Sequence, residues 1–142
     1  MHVNDEPMKQ LNTVLLIDDD ETTNYLNHRL LSRMEVASEI RVVTDGEEAI
    51  KYLSKAFAGA PDYPRPELIF VDIKMSGMDG FEFLEEYQKV PENDRQGTVL
   101  LMLTSSASFY DLEKLKQFPD VRQHYSKPLT ESDVREIIQT YF

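Results

Sequence analysis

The sequence predicts an α/β fold, a five-stranded parallel sheet with helices wound on both faces. Three observations predict it. The apolar runs Val14–Ile17, Leu68–Val71 and Val99–Leu103 read as strands buried on both faces. Ile40–Val43 and Val121–Ser126 are weaker, with polar interruptions that suit strands nearer an edge. Helical patterns lie between these runs, and strands alternating with helices at this spacing imply parallel pairing.

In order along the chain, residues 1–10 lack periodicity, contain Pro7, and are expected to form a disordered or loosely docked tail before a domain over 11–142. The first strand ends in Asp18-Asp19-Asp20-Glu21, whose acids suit the positive end of a helix over Thr22–Met34. Leu26, Leu30 and Met34 form that helix's apolar stripe. Asp45-Gly46 turns the chain into a helix over Glu47–Phe57, with Ile50, Leu53 and Phe57 inward. Ala58–Pro66 holds three prolines and a glycine and reads as a long loop. The central strand ends at Asp72, and Met78-Asp79-Gly80 leads into a helix over Phe81–Lys89 with Phe81 and Leu84 inward. Pro91–Gly97 reads as a polar turn, and Tyr110–Gln117 as a helix with Leu112 and Leu115 inward. After the fifth strand come Lys127-Pro128 and the capping-box pattern Thr130-Glu131-Ser132-Asp133. The last helix places Val134, Ile137, Ile138 and Tyr141 on one face.

Composition narrows the function. At 142 residues the chain fits one domain with a core of its own, and with no cysteine it has no disulfide framework and no thiol site. A formal net charge of −11 argues against nucleic acid or an anionic membrane as partner, since both need clustered cations. No apolar run approaches the ~20 residues of a spanning helix. A cytoplasmic protein is expected, with no second domain after the last helix.

The strand ends carry the chemistry. Asp18/Asp19, Asp72 and Thr104 follow the three most apolar strands, and Lys127 follows the last. In a parallel sheet these ends share one edge, where open α/β sheets place their sites. Asp72 alone has two readings, a turn cap or a nucleophile for a phosphoryl group. The company it keeps favours the second. Two carboxylates about 4 Å apart repel by roughly 4 kcal/mol at an effective dielectric near 20, so three crowded together call for protonation or a cation. Hard oxygen donors without His or Cys select Mg²⁺, or Mn²⁺, over zinc. Lys127 and Thr104 would then neutralise and hydrogen-bond phosphoryl oxygens.

With these residues in place, the chain resembles the receiver domains of two-component response regulators, of the single-domain kind related to the chemotaxis response regulator. The resemblance covers about residues 11–142. It implies a flavodoxin-like (βα)5 sheet of order 2-1-3-4-5. It implies Asp72 as phosphoacceptor, Thr104 as the switch hydroxyl and Lys127 before a cis Pro128. It also implies Mg²⁺ held by Asp19, Asp72 and the Lys74 carbonyl, with Asp18 acting through water. The phosphoryl donor would be a sensor histidine kinase or a histidine phosphotransfer protein. The output would be a change in contacts with an unidentified protein target, in a monomer or a phosphorylation-dependent dimer. Such a protein is a switch rather than an enzyme on other substrates.

Several positions bear on how the switch would work. Three depart from the family pattern: Ser76 stands where Pro is usual after Met75, Ser105 where Ala is frequent, and His124, beside Tyr125, where the switch aromatic lies. Lys74 and Ser106 occupy the positions that flank the phosphoryl site and are expected to tune the lifetime of the modification. The alternative is a haloacid-dehalogenase-like phosphatase, since Asp18-Asp19-Asp20-Glu21-Thr22 has the Asp-x-Asp-x-Thr form with Asp18 as nucleophile. That reading lacks a later acidic motif and leaves Asp72 without a role.

Overall fold

The computed structural model describes residues 9–142. The expected tail lies outside the described residues except for Lys9 and Gln10, which are exposed. The strands are β1 (Leu11–Ile17), β2 (Ala37–Val43), β3 (Leu68–Asp72), β4 (Val99–Thr104) and β5 (Val121–Ser126). They pair in parallel throughout, in the order β2-β1-β3-β4-β5. The helices are α1 (Glu21–Arg33), α2 (Gly46–Phe57), α3 (Gly80–Tyr87), α4 (Glu92–Arg95), α5 (Phe109–Leu115) and α6 (Glu131–Tyr141).

Alternation within each strand divides the core in two. Leu15, Ile17, Ile69, Val71, Leu100 and Met102 face α2, α3 and α5. Val14, Leu16, Leu68, Phe70, Leu101 and Leu103 face α1 and α6. The central strands β1, β3 and β4 are thus apolar on both sides, whereas β2 and β5 lie at the edges, as their broken patterns predict.

Three expectations need correction. Leu26 does not face the core; it is 41% exposed, and α1 buries Thr23, Asn24, Asn27 and Leu31 instead. Leu30 and Met34 only flank that face. The reason is polar: Asn24 and Asn27 make buried bonds that a leucine stripe could not. β1 begins at Leu11 rather than Val14, because Leu11 is buried and pairs with Ala37 despite the polar Asn12 and Thr13 that follow. Finally, 91–97 contains the short helix α4, so the described residues form six helices and not five. Pro91 starts it with φ −54°, its carbonyl accepts from Asp94, and Arg95 pairs with Asp120. A four-residue polar helix has no apolar stripe to announce it.

The long loop before β3 is pinned. Tyr52 Oη donates to the Pro64 carbonyl at 2.6 Å, and the rings of Tyr52 and Tyr63 meet edge-on at 5.5 Å. The Arg65 guanidinium lies over Phe57 and donates to the Gln96 carbonyl at 2.8 Å.

The loop after β3 closes on a glycine. The Gly80 amide donates to the Ile73 carbonyl at 2.9 Å. A Cβ on Gly80 would lie 2.5 Å from the Asp72 carbonyl oxygen and 2.8 Å from Ile73 Cα. Both are backbone atoms and have no rotamer by which to yield. A Gly80→Ala variant is therefore expected to lose about 1–3 kcal/mol of stability in urea unfolding. Gly46→Ala meets only the flexible Met78 side chain and should lose less.

Candidate functional site at the carboxyl edge of the sheet

The strand ends converge as the topology requires. Asp18 follows β1, Asp72 ends β3, Thr104 ends β4, and Lys127 follows β5. Asp18, Asp72 and Thr104 are buried, and Asp19 is exposed. Lys127 Nζ lies 3.0 Å from Asp18 Oδ2 and 3.2 Å from Asp72 Oδ2, so one ammonium bridges two carboxylates. Each of Asp18, Asp19 and Asp72 offers a carboxylate oxygen within 4.8 Å of the other two.

Local sequence explains each placement. Asp20, not Asp18 or Asp19, caps α1 by accepting from the Thr23 amide at 3.2 Å, which leaves the first two acids for the site. Asp18 Oδ1 accepts from the Asp20 amide at 2.9 Å. Asp79 caps α3 in a reciprocal box with Glu82, and Thr130 caps α6 with Asp133. The Lys127–Pro128 peptide is cis, as the family pattern implies. Lys74 donates its amide to Asp72 Oδ1 at 3.3 Å. Thr104 Oγ1 accepts from the Ser106 amide at 3.1 Å. Ser76 donates its amide to Asp19 Oδ2 at 2.9 Å, a bond that Pro at this position has no N–H to make.

Sequence reasoning missed two residues that build the site from below. Asn24 Nδ2 donates to the Asp18 carbonyl at 2.8 Å, and Asn27 Oδ1 accepts from the Leu129 amide at 2.9 Å. Together they fix the segment after β1 and the turn after Lys127-Pro128. Their i, i+3 spacing next to Asp18 was the available signal, but polar residues on a helix read by default as its wet face. His124 sits on the α5 side of β5, in a shallow groove with Phe109, Leu112 and Leu115. Tyr125 sits on the other side and donates its hydroxyl to Glu136 of α6 at 2.8 Å.

The electrostatics are set by burial. Asp72 is pushed up to about 6 from an ordinary carboxylate value of 3.8, first by burial and then by the Asp18 charge, with Lys127 opposing. Burial also works against the Lys127 ammonium, yet its bonds to Asp18 and Asp72 outweigh this and raise its pKa. Lys127 leaves the acids short of compensation by at least one charge. The surplus, and the all-oxygen donor set, fit a divalent cation of the Mg²⁺ or Mn²⁺ type.

The fold and this edge place the molecule in a class. The chain belongs to the response regulator receiver domain family, which matches residues 14–139. It is 28% identical over 141 residues to hybrid signal transduction histidine kinase L of Dictyostelium discoideum, covering 96% of this chain and 8% of that protein. Sporulation initiation phosphotransferase F of Bacillus subtilis is 27% identical over 77 residues, covering 54% of this chain and 58% of that protein. Both matches span less than two thirds of the relative's own length. A two component response regulator from Cytophaga hutchinsonii has a similar solved structure, with TM-score 0.83 and 29% identity over 92% of this chain and 96% of that one. The acidic pocket fits what this family does, which is to bind a metal and carry an aspartyl phosphate. Among the described residues no helix is long and apolar enough to cross a membrane.

The raised Asp72 has a consequence for stability. The native state holds a proton on Asp72 up to about pH 6, whereas the unfolded chain releases it near 3.8. Asp72 ionisation therefore costs stability as pH rises through this window, and the cost is fully present above it. In metal-free buffer, Asp72→Asn is expected to be more stable than the wild type at pH 7, by about 1–3 kcal/mol. The gain should shrink from pH 6 to pH 4, as followed by urea unfolding at each pH.

Proposed function

We propose that this protein is a cytoplasmic receiver, with its receiver domain formed by residues 11–142, that takes a phosphoryl group onto Asp72. The observation that carries this reading is the double pairing of Lys127 with Asp18 and Asp72 beside a third carboxylate. The arrangement balances only part of the negative charge and leaves a net-negative edge, open to solvent through Asp19, that suits a divalent cation. The donor is the phosphohistidine of a sensor histidine kinase or a histidine phosphotransfer protein, in keeping with the names of the relatives above.

The chemistry follows from the side chains. Ionised above about pH 6, an Asp72 carboxylate oxygen attacks the phosphorus in line. The new phosphorus–oxygen bond forms as the phosphorus–nitrogen bond breaks, and the electron pair leaves with the donor imidazole, which takes up a proton. Lys127 turns from the free carboxylate to a phosphoryl oxygen, and Thr104 Oγ1 donates to another. Asp19 and Asp72 with the Lys74 carbonyl would hold a Mg²⁺ or Mn²⁺ ion, with Asp18 joined through water. When bound, that ion supplies neutralisation of the phosphoryl oxygens.

Thr104 is the hinge of the response. Its hydroxyl already accepts from Ser106, at the start of the connection to α5, so drawing Thr104 toward a phosphoryl group pulls on that connection. The surface that changes is the α5–β5 groove lined by Phe109, Leu112 and His124, with Phe109 and its neighbour Tyr110 79% and 70% exposed. The partner there is a protein target. Phosphorylation acts by favouring one of two existing arrangements of this face.

The phosphatase alternative assigns the nucleophile to Asp18. Here Asp18 is held by Lys127, Asp20 is committed to capping α1, and Asp72 shares the site. Exposure to phosphoramidate with Mg²⁺ discriminates. Asp72→Asn should abolish phosphoryl uptake, while Asp18→Asn should slow it but leave it measurable. Uptake that survives Asp72→Asn and vanishes in Asp18→Asn would favour the phosphatase.

A further inference from the structure

A second charge pair bridges the site on its far side. Lys74 Nζ lies 3.8 Å from Asp111 Oδ2. Lys74 belongs to the loop after β3, and Asp111 to the first turn of α5, so the pair spans the cleft between the loops that follow β3 and β4. Asp111 is buried at 8% exposure, while the Lys74 side chain is 65% exposed. Asp111 also closes the start of its own helix. Its Oδ2 accepts from the Ser108 amide at 3.2 Å, and its amide donates to Ser108 Oγ at 3.0 Å. Lys74 is the cation that faces it. Lys74 is also anchored at the acceptor, because its amide bonds Asp72 Oδ1. Its exposed stem can swing, because among the described residues Asp111 is the one carboxylate it pairs with.

We propose that Asp111 is a positioning residue for the phosphoryl site. In the unmodified protein it holds the Lys74 ammonium on the α5 side and ties the first turn of α5 to the loop after β3. A phosphoryl group on Asp72 brings about two negative charges within reach of that ammonium and competes for it. Lys74 then leaves Asp111, and the tie to α5 is released. Among the contacts that hold α5 and the turn after it to α3 are the Lys114 ammonium over Phe81 and the Phe81–Phe118 ring pair, and neither involves a residue beside Asp72. The Lys74–Asp111 pair is thus a direct electrostatic link between the acceptor loop and the helix of the output face. The inference rests on Asp72 being the acceptor.

The competition is measurable with beryllofluoride as phosphoryl mimic, at saturating Mg²⁺, by NMR titration of the full chain. Asp111→Asn removes the competitor and should tighten beryllofluoride binding two- to fivefold, an effect that shrinks in high salt. In a Lys74→Ala background the same substitution should change nothing, and Asp111→Glu should restore wild-type behaviour. In the wild type, beryllofluoride should shift the Asp111 carboxyl carbon resonance, and in Lys74→Ala it should not. The resonance test does not depend on how well Asp111→Asn folds. Equal tightening by Asp111→Asn with and without Lys74 would mean a simple field effect on the anion and would overturn the proposal. An unmoved Asp111 resonance in the wild type would also overturn it. Beryllofluoride binding that persists in Asp72→Asn would instead overturn the acceptor assignment.

Discussion

The structure depends on one interaction, the Lys127 ammonium set between the Asp18 and Asp72 carboxylates. Three carboxylates meet at the end of a sheet whose interior is otherwise apolar, and a buried carboxylate left unpaired costs about 3–5 kcal/mol. Lys127 meets part of that cost, and the rise of Asp72 to about 6 shows what is left over. The remaining imbalance is what suits the site to a divalent cation. A fully neutralised cluster would be a structural ion-pair network with no reason to exchange anything.

Much of the fold can be understood as support for that meeting. Parallel pairing puts every strand's carboxyl end on one edge. β1, β3 and β4 are buried on both faces, so the ends at Asp18, Asp72 and Thr104 are held by the two core layers. Lys127 comes from an edge strand with fewer apolar contacts, and its turn is fixed through Leu129 by Asn27 of α1. On the other side Gly80 lets α3 begin against the backbone of Asp72 and Ile73. After Thr104 the Ser106 amide bonds the Thr104 hydroxyl, Ser108 caps α5, and the aromatic pair Phe109–Tyr110 stands exposed. The Pro-rich loop of 58–66 is pinned at Tyr52, Tyr63 and Arg65.

The sequence made the site legible because strand ends are marked by abrupt changes from apolar runs to charged residues. Asp18, Asp19 and Asp72 could be read that way. Thr104 is a hydroxyl at such an end, and Lys127 follows a weaker strand and stood out beside Pro128. The sheet order follows from the family they indicate. Most of what stayed hidden shares one physical cause. Asn24, Asn27 and Asp111 are buried polar side chains held by backbone groups or by a residue of another segment, and a polar residue on a helix reads by default as part of a solvated face. The same ambiguity placed Leu26 in the core, where the asparagines have its expected position. The helix α4 was hidden for a different reason, being too short and too polar to carry a period. Ser76 was visible as a departure from the family, but its use, donating an amide to Asp19, needed the loop's geometry.

The central claim is that Asp72 is the group that becomes covalently modified. Its most direct test is borohydride trapping: the protein is phosphorylated by a small-molecule donor with Mg²⁺, reduced, digested and sequenced by mass spectrometry. An acyl phosphate on Asp72 is reduced to homoserine, so the account predicts homoserine at position 72 and unmodified aspartate at 18 and 19. Homoserine at position 18, or none anywhere despite a folded protein with bound Mg²⁺, would contradict it.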